Sequence, residues 1–337
     1  LSVVKPFVGV AGDVSAEATV SLVRHGSMRG FVLSEGVNPF YSDIDAGAMA
    51  IAAVDEAVRR QICAGARLDR IALLDNFCWP DPVQSDHTPD GEYKMAQLVR
   101  SCQALYDTTR AYGTPLISGK DSMKNDSTMG GVKISVPPTL LLSAIGQIDD
   151  VRNAVTADFK QAGDRVYLLG TTADECGGSE YFRHLGDKDG VTRKPEQPAP
   201  YVGNSPPLID PEKTVPLYRA VEQAMADGLV RSASTPARGG LILALARSAM
   251  AGMLGAEIDL DIDLPSDRVL FSESGGRFVV TVAERDGAAF EAAMSGQPCS
   301  RIGSVTTGDR LVARHGGQPV ADASLAEMKK AFKETLS

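Results

Sequence analysis

The sequence predicts a two-domain α/β protein, on the basis of its length, its composition and the alternation of strand and helix patterns. With 337 residues, the chain is long for one hydrophobic core and sufficient for two domains. A hydrophobic content of 43% and a charged content of 23% are typical of a globular protein. Short apolar runs alternate with amphipathic helical patterns, which favours sheets covered by helices. The pattern restarts after Asp150, so we place the boundary near residue 155 and predict domains over residues 1–155 and 156–337.

The first domain contains four predicted strands and two predicted helices. The strands cover residues 29–34, 71–74, 116–118 and 139–145, and the helices cover 46–64 and 92–112. Asp45 is the expected N-cap of the first helix, and Gly65 and Gly113 follow the two helix ends. Residues 75–90 are interpreted as an irregular loop. The apolar stripes predicted to be buried are Ile51, Val54, Val58 and Ile62 in the first helix and Met95, Leu98, Cys102, Leu105 and Thr109 in the second.

The second domain repeats the alternation of strands and helices. Strands are predicted over 165–170, 256–262, 277–284 and 300–305, and helices over 213–227, 239–253 and 323–335. Gly177-Gly178-Ser179-Glu180 opens a further short helix. Residues 187–211, rich in proline, glycine and charge, are predicted to form a long loop.

Charge and cysteine content restrict the possible partners and location. A net charge of -9 gives no electrostatic footprint for nucleic acid, and no apolar run reaches the ~20 residues of a membrane span. The five cysteines are odd in number and lack CxxC spacing, which predicts reduced thiols in a cytoplasmic protein. Leu1 stands where an initiator methionine would be expected, and we expect a piece of a longer polypeptide.

The strongest local motif is Ser118-Gly119-Lys120-Asp121-Ser122, directly after a predicted strand. Gly119 would let backbone amides approach a phosphate, Lys120 would add charge and Asp121 could bind Mg²⁺. The motif is not a Walker P-loop, because five residues separate Gly113 from Gly119 and an aspartate follows the lysine. A strand-ending turn, which glycine and aspartate favour, explains the same residues without a ligand.

Two acidic residues are further candidates. Asp75 ends a predicted strand, where ligands of α/β sheets bind, although a proline-stiffened loop packed by Phe77 and Trp79 accounts equally well for its neighbourhood. Glu56 lies away from the buried stripe and precedes Arg60 by four residues. That spacing is typical of a surface ion pair of about 0.3–0.5 kcal/mol.

Two glycine-rich segments of the second domain, residues 177–180 and 272–277, could offer amides to anions but are weak as isolated motifs. The four histidines show neither metal-ligand spacing nor a nucleophile partner.

In order along the chain, several segments resemble the second half of the formylglycinamide ribonucleotide amidotransferase family. They are Asp43-Ile-Asp-Ala-Gly, Asp55-Glu56-Ala57, Leu74-Asp75-Asn76-Phe77, residues 113–122, Gly170-Thr171, Gly177 to Tyr181, Leu270 to Ser274 and Gly303-Ser304-Val305. The resemblance implies an aminoimidazole ribonucleotide synthetase-like fold. In that fold an amino-terminal sheet domain pairs with a related sheet into a barrel, and a carboxyl-terminal α/β sandwich domain follows.

The resemblance also implies an activity and its site residues. The family activates the amide oxygen of formylglycinamide ribonucleotide with ATP and Mg²⁺ and then inserts ammonia from a glutaminase. Asp75 and Gly119 match nucleotide-binding positions, Ser122 matches a substrate position and Glu56 matches a metal position. Lys120 falls where many members have an asparagine that holds Mg²⁺, and it is interpreted as a phosphate contact of the nucleotide, while Asp121 is a metal candidate from its local motif. The segment Glu-Ser-His-Asn-His-Pro, which carries the catalytic histidine of the first half, is absent, so no catalytic residue is predicted here.

Two departures concern an auxiliary nucleotide site of the family. Its Glu-x-x-x-Asn metal motif ends here in Arg60, and its His-Asp-x-Ser-acid-Gly-Gly segment is Ser234 to Gly240, with Thr235 at the metal-binding aspartate and Arg238 at the acid. This half is therefore expected to have lost that site, with arginine in place of metal.

Three hypotheses remain at this stage. The first is a ligase fragment, inactive alone, that requires the missing amino-terminal half and a glutaminase subunit, and forms a homodimer when isolated. The second is a non-catalytic scaffold with a decayed nucleotide site. The third is another ATP-using member of the superfamily, such as thiamine-monophosphate kinase or selenophosphate synthetase.

Overall fold

The computed structural model describes residues 1–188 and 202–334, which form two sheets flanked by helices. Elements of the first part are β1 (Ser2–Val4), β2 (Phe7–Val8), β3 (Val14–Ser15), β4 (Thr19–Leu22), β5 (Gly30–Val37), α1 (Ala46–Cys63), β6 (Ala72–Cys78), α2 (Gly91–Tyr112), β7 (Leu116–Ser122), β8 (Ser127–Met129), β9 (Val132–Ile134) and β10 (Thr139–Ile148). Six of these strands form one sheet in the order β1-β4-β5-β10-β6-β7, and the pairs β2-β3 and β8-β9 are separate two-stranded ribbons.

The second part carries a seven-stranded sheet. Its elements are β11 (Arg165–Leu169), α3 (Glu180–Lys188), α4 (Pro211–Ala226), β12 (Ser232–Ser234), α5 (Gly240–Gly252), β13 (Gly255–Leu260), α6 (Ser266–Phe271), β14 (Phe278–Val282), α7 (Gly287–Ala293), β15 (Cys299–Thr306), β16 (Arg310–His315), β17 (Gln318–Ser324) and α8 (Leu325–Glu334). The strand order is β12-β14-β11-β15-β13-β16-β17. The predicted mixed α/β fold is confirmed. The predicted loop over 187–211 falls mainly on residues 189–201, outside the described residues, and its first two residues belong to α3.

Helix α1 begins at its predicted cap and is buried on nearly all sides. The Asp45 carboxylate accepts hydrogen bonds from the Gly47 and Ala48 amides at 2.7 and 2.9 Å. Of the 18 helical residues 16 are buried, because α1 lies between the first sheet and elements of the second part. Glu56 is therefore 2% exposed, and the prediction of a surface ion pair is wrong.

Close packing of α1 on the sheet depends on Gly36 and Gln61. A Cβ on Gly36 would lie 2.1 Å from the Ala53 carbonyl oxygen, so only glycine permits this separation between strand and helix. The Gln61 amide donates to the Val32 and Ala144 carbonyls of β5 and β10 at 3.2 and 3.0 Å. The helix is thus fixed to the two central strands.

Helix α2 has its predicted length and ends at Gly113, which adopts φ = 70°, but its buried face differs from the prediction. Leu105 and Thr109 are buried as predicted, but Met95 and Cys102 are exposed, and the buried residues also include Lys94, Ser101, Thr108 and Tyr112. The buried face is therefore only partly the predicted one, since polar side chains can pack against α1 once they are hydrogen-bonded. Ser101, for example, donates to the Ala46 carbonyl at 2.8 Å.

Two segments interpreted from the sequence as a loop or a turn form strands in the structure. Residues 75–78 continue β6 and pair with β10, and Gly119 to Ser122 continue β7 and pair with β6. Backbone pairing on β6 explains the extension, because the neighbouring strands provide partners that the local sequence does not reveal. Trp79, directly after β6, is fully buried and donates to the Lys94 carbonyl at 3.1 Å.

The first sheet is covered on one face only. Leu140, Leu142 and Ala144 of β10 are buried beneath the helices, whereas Ile145 and its partner Leu33 of β5 are 37% and 43% exposed on the opposite face. A common core nevertheless joins the two parts, from Trp79 to Phe290. The predicted boundary at residue 155 falls between Ile148 and Arg165, the last and first strand residues of the two sheets.

Candidate functional site

Parallel strands β6 and β7 bring most of the predicted site residues together at the edge of the first sheet. Their register pairs Asp75 with Gly119, Asn76 with Lys120 and Cys78 with Ser122. These positions form the carboxyl halves of two parallel strands, where α/β sheets present ligand-binding groups. Strand β7 is the edge strand, and six of its seven residues are exposed.

Asp75 lies directly against the backbone of Gly119. A Cβ added to Gly119 would be 2.3 Å from Asp75 Oδ1 and 3.1 Å from the Asp75 carbonyl oxygen. The carboxylate therefore occupies the space that a side chain at position 119 would need. This contact explains physically why glycine stands at a strand position whose backbone angles any residue could adopt.

The charges at this edge influence one another. Burial raises the pKa of Asp75 above its ordinary value, and the nearby charge of Asp121 raises it further. Partial desolvation raises the pKa of the Cys102 thiol of α2 as well, and the charges of Asp121 and Asp75 raise it further. The three groups therefore lie close enough to interact between β6, β7 and α2.

Lys120 and Ser122 form a second pair on this edge. The two residues are separated by one position on the strand, so their side chains point to the same side, which is opposite to that of Asp75 and Asp121. Lys120 Nζ donates to Ser122 Oγ at 2.6 Å. An exposed ammonium group held in this way can meet an anionic ligand, and the adjacent hydroxyl can donate or accept a hydrogen bond.

The two predicted metal residues lie on different elements. Asp121 is exposed on β7, whereas Glu56 is buried in α1. The Glu56 carboxylate accepts from Asn38 Nδ2 at 3.0 Å and from the Val37 amide at 3.3 Å, and it pairs with Arg60 at 2.7 Å. Among residues 1–188 and 202–334, no group of three or more His, Cys, Asp or Glu side chains could hold a metal ion.

The two glycine-rich segments of the second part meet around a carboxylate that sequence reasoning missed. Glu273 accepts from the Glu180 amide at 3.0 Å, from the Gly239 amide at 2.7 Å and from the Tyr41 hydroxyl at 2.6 Å. The Glu180 and Gly239 amides, which could otherwise bind an external anion, are therefore already bound to the Glu273 carboxylate. The available signal was a charged residue close after two apolar ones, in Leu270-Phe271-Ser272-Glu273.

Arg277, in the same cluster, is fully buried. It donates to the Ser272 and Ser274 carbonyls at 2.6 and 2.9 Å and to Thr172 Oγ1 at 2.9 Å. Burial lowers its pKa to about 10, and Arg59 contributes to that lowering. These contacts make Arg277 a backbone clamp for the loop between α6 and β14.

The two places where this chain differs from the family's auxiliary nucleotide site, Arg60 and the segment that contains Thr235, lie near one another. Thr235 is buried and donates to Glu17 Oε2 at 2.7 Å. Arg60 approaches the same Glu17 oxygen at 3.9 Å. Arg238 is exposed and lines a small cavity with Asn38 and Glu273.

A family model and curated relatives match this chain. Residues 161–316 match the family described as AIR synthase related protein, C-terminal domain. The phosphoribosylformylglycinamidine synthase subunit PurL of Moorella thermoacetica is 32% identical over 329 residues, which cover 97% of this chain and 41% of the relative. The PurL subunit of Alkaliphilus metalliredigens is 30% identical over 324 residues, with 95% and 40% covered. The chain thus spans about two fifths of the length of these relatives.

Solved structures share the fold. Thermotoga maritima PurL complexed with FGAR superposes with a TM-score of 0.72 at 17% identity, covering 96% of this chain and 49% of that one. The same protein complexed with ATP gives a TM-score of 0.65 at 18% identity, with 96% and 47% covered. A hydrogenase maturation protein, HypE, in complex with ATP gives 0.60 at 18% identity, with 95% and 89% covered. The resemblance inferred from the motifs is confirmed by these relatives.

Proposed function

We propose that this chain, which carries an AIR synthase-related carboxyl-terminal domain and resembles one half of PurL, is part of a phosphoribosylformylglycinamidine synthase. It would contribute ATP- and substrate-binding residues to a site that other parts of a longer protein complete. The enzyme would phosphorylate the amide oxygen of formylglycinamide ribonucleotide with ATP, and ammonia would then displace phosphate to form the amidine. This chain would bind and orient ligands in that reaction.

The edge formed by β6 and β7 is the observation that carries the proposal. Asp75, Gly119 and Lys120 would bind the nucleotide, and Ser122 would bind the ribonucleotide substrate. Support comes from the pairing of Asp75 with Gly119 in register and from the contact between the Asp75 carboxylate and Gly119. Further support is that a relative with this fold has been solved with ATP and with FGAR.

Mg²⁺ would accompany ATP at the same edge. Asp121 would be its ligand from this chain, since the Asp121 carboxylate is exposed and interacts electrostatically with Asp75. Oxygen donors suit Mg²⁺, which keeps several waters and usually takes one or two carboxylates together with phosphates. Bound there, it would neutralise phosphate charge. Lys120, which leaves the opposite face of the same edge strand, would add the point charge that a triphosphate still requires.

Three partners follow from the proposed function. One is the remaining half of the enzyme, another is a glutaminase subunit that supplies ammonia, and the third is a second copy of this chain when it is isolated. A structure of PurLQS from Thermotoga maritima, which has this fold, supports a multi-subunit setting. Among the described residues no helix has both the length and the apolar character needed to cross a bilayer. We propose a cytoplasmic location.

Calorimetric titration with Mg-ATP tests the proposed site. The chain should bind Mg-ATP, and Lys120→Gln should weaken binding by about tenfold or more, as expected when a charge-assisted phosphate contact is lost. Lys213→Gln, which removes an exposed lysine of α4, is the matched control and should leave affinity unchanged. Absence of binding would favour the non-catalytic scaffold. Steady turnover by the isolated chain with ATP, ammonia and the ribonucleotide would contradict the proposal of an incomplete site.

A further inference from the structure

Buried acidic side chains gather where α1 meets the second part of the chain. Asp55, Glu56 and Glu273 are each no more than 3% exposed, and Glu17 is 5% exposed. We call these four residues the seam carboxylates. A buried carboxylate is costly unless a cation or several hydrogen bonds compensate its charge, so the source of compensation determines what this region can bind.

Asp55 is compensated by protein groups from both parts of the chain. Arg59 Nε lies 2.5 Å from Asp55 Oδ2. The other oxygen accepts hydrogen bonds from Tyr112, at 2.8 Å, and from Tyr218. The Gly276 amide donates to Oδ2 at 3.2 Å. Both oxygens therefore have their partners within the chain.

Arg60 connects three of the surrounding acids. Its guanidinium group is 2.7 Å from Glu56, 2.6 Å from Glu35 and 3.9 Å from Glu17. Burial lowers the pKa of Arg60, but Glu56, Glu17 and Glu35 outweigh that effect and raise it overall. Arg60 is therefore a permanent positive charge inside this acidic cluster.

Little space remains beside these groups. The cavity lined by Asn38, Tyr41, Glu56, Arg59 and Glu273 has a volume of about 10 Å³. That volume matches one water molecule and is too small for hydrated Mg²⁺ or a nucleotide phosphate. Arg59 closes the region further, because its Nη1 donates to the Pro236 and Arg277 carbonyls at 3.0 and 3.2 Å.

We propose that Arg59 and Arg60 act as built-in counter-ions of Asp55 and Glu56, so that α1 packs against the second part without Mg²⁺ or nucleotide. Glu273 is compensated instead by the Tyr41 hydroxyl and two backbone amides. A divalent cation could reach Glu56 only by displacing Arg60, and it would then find too few oxygen donors for the octahedral shell that Mg²⁺ prefers. The inference concerns a region separate from the β6–β7 edge. It holds whether or not ATP binds at that edge.

Hydrogen–deuterium exchange of the unaltered chain, with and without Mg-ADP, separates the two regions. No protection is expected in peptides covering residues 46–63 and 232–240, whatever happens in peptides covering β6 and β7. Saturable protection of the seam peptides by Mg-ADP would overturn the proposal. Protection limited to β6 and β7 agrees with it, and absence of protection there bears only on the proposed function.

A stability comparison tests the role of Arg60 itself. Arg60→Gln leaves Glu56 and Glu35 without their shared cation, although Glu17 keeps Arg247 at 3.5 Å, and it should lower the unfolding midpoint by roughly 5 °C or more. Arg67→Gln is the matched control, because its ion pairs with Asp69 and Asp149 are exposed, and it should change the midpoint by about 2 °C or less. Equal, small shifts in the two variants would overturn the proposal.

Discussion

Asp75 and Gly119 illustrate how local contacts define the proposed nucleotide site. The sequence placed both residues beside strands and predicted that they belong to one ligand site, but it could not reveal that they touch. Their contact arises from the parallel register of β6 and β7, which depends on α2 bringing the chain back beside its starting strand. Asp55 and Glu273 stand in motifs that carry the resemblance, but their contacts with Tyr218 and Tyr41 could not be predicted, since these partners are distant in sequence.

A methyl group at position 119 should disturb ATP binding. In Gly119→Ala the new Cβ would meet Asp75 Oδ1 at 2.3 Å, so the carboxylate or the strand must move. We expect Mg-ATP affinity to fall by about tenfold or more, by calorimetry, because a misplaced polar group loses about 1.4 kcal/mol or more of binding free energy. Gly308→Ala, where the Cβ would have only an ordinary contact at 3.5 Å, is the control. Equal affinities for the two variants would contradict the proposed role.

The raised pKa of Asp75 predicts a pH-dependent stability. Burial and then Asp121 raise this pKa above the ordinary 3.8, so the folded chain binds this proton more tightly than the unfolded chain. Its contribution to the free energy of unfolding is thus present at low pH and is lost as pH rises through the raised value. Urea unfolding between about pH 3.5 and 7 should show Asp75→Asn gaining stability over the unaltered chain as pH increases.

Asp126 gives the control of opposite sign. Burial raises its pKa, but the hydrogen bond from the Asp81 amide and the interaction with Lys133 outweigh burial, and the net shift is downward. Its stabilising contribution should be present above the ordinary pKa and lost as pH falls. Asp126→Asn should therefore show the reverse trend. A difference between Asp75→Asn and the unaltered chain that shrinks as pH rises would contradict the assigned environment.

At the scale of the element, helix ends were predictable and buried faces were not. Asp45 and Gly113 act through hydrogen bonds and backbone angles that depend on a few neighbouring residues, so the bounds of α1 and α2 followed from the sequence. The buried face of α2 depends on its packing against α1, where Ser101 and Lys94 are buried with their own polar partners. Hydrophobic periodicity cannot identify polar residues of this kind as buried.

The cap of α1 offers a test at this scale. Asp45→Ala removes two hydrogen bonds to the first-turn amides and should lower the free energy of unfolding by about 1 kcal/mol. Asp45→Asn retains a capping oxygen and should lose about half of that or less. Arg100 also contacts Asp45, so Arg100→Ala, at an exposed position, measures the small contribution of that ion pair. A loss in Arg100→Ala as large as that in Asp45→Ala would assign the effect to the ion pair and not to the cap.

For the whole molecule, the strand and helix alternation led to the correct fold class, whereas several strands had no usable signal. Strands β1 to β4 are two to four residues long and pair with one another or with β5, so their existence depends on contacts outside any sequence window. Strand β16 lies parallel to β13 and depends on a long-range contact as well. Extension of β6 by residues 75–78 has the same origin, because β10 supplies its hydrogen bonds from more than 60 positions away.

The open face of the first sheet predicts self-association of the isolated chain. Leu33 and Ile145 are direct cross-strand partners on that face, with half-buried Phe31 and Leu141 on the same side, while the helices cover the other face. Exposed apolar side chains on a sheet face are costly in water, and a second copy can cover them symmetrically even though the pair Glu35 and Ser143 interrupts the apolar residues. We therefore expect sedimentation analysis at micromolar concentration to show a dimer. The double variant Leu33→Lys with Ile145→Lys should be a monomer, because it places charges on the open sheet face of each copy. Leu243→Lys is the control, because Leu243 is also 43% exposed but lies on α5 in the second part, and it should leave the dimer intact. A clean monomer for the unaltered chain would mean that the face is insufficient for association by itself, and would leave its covering to another partner.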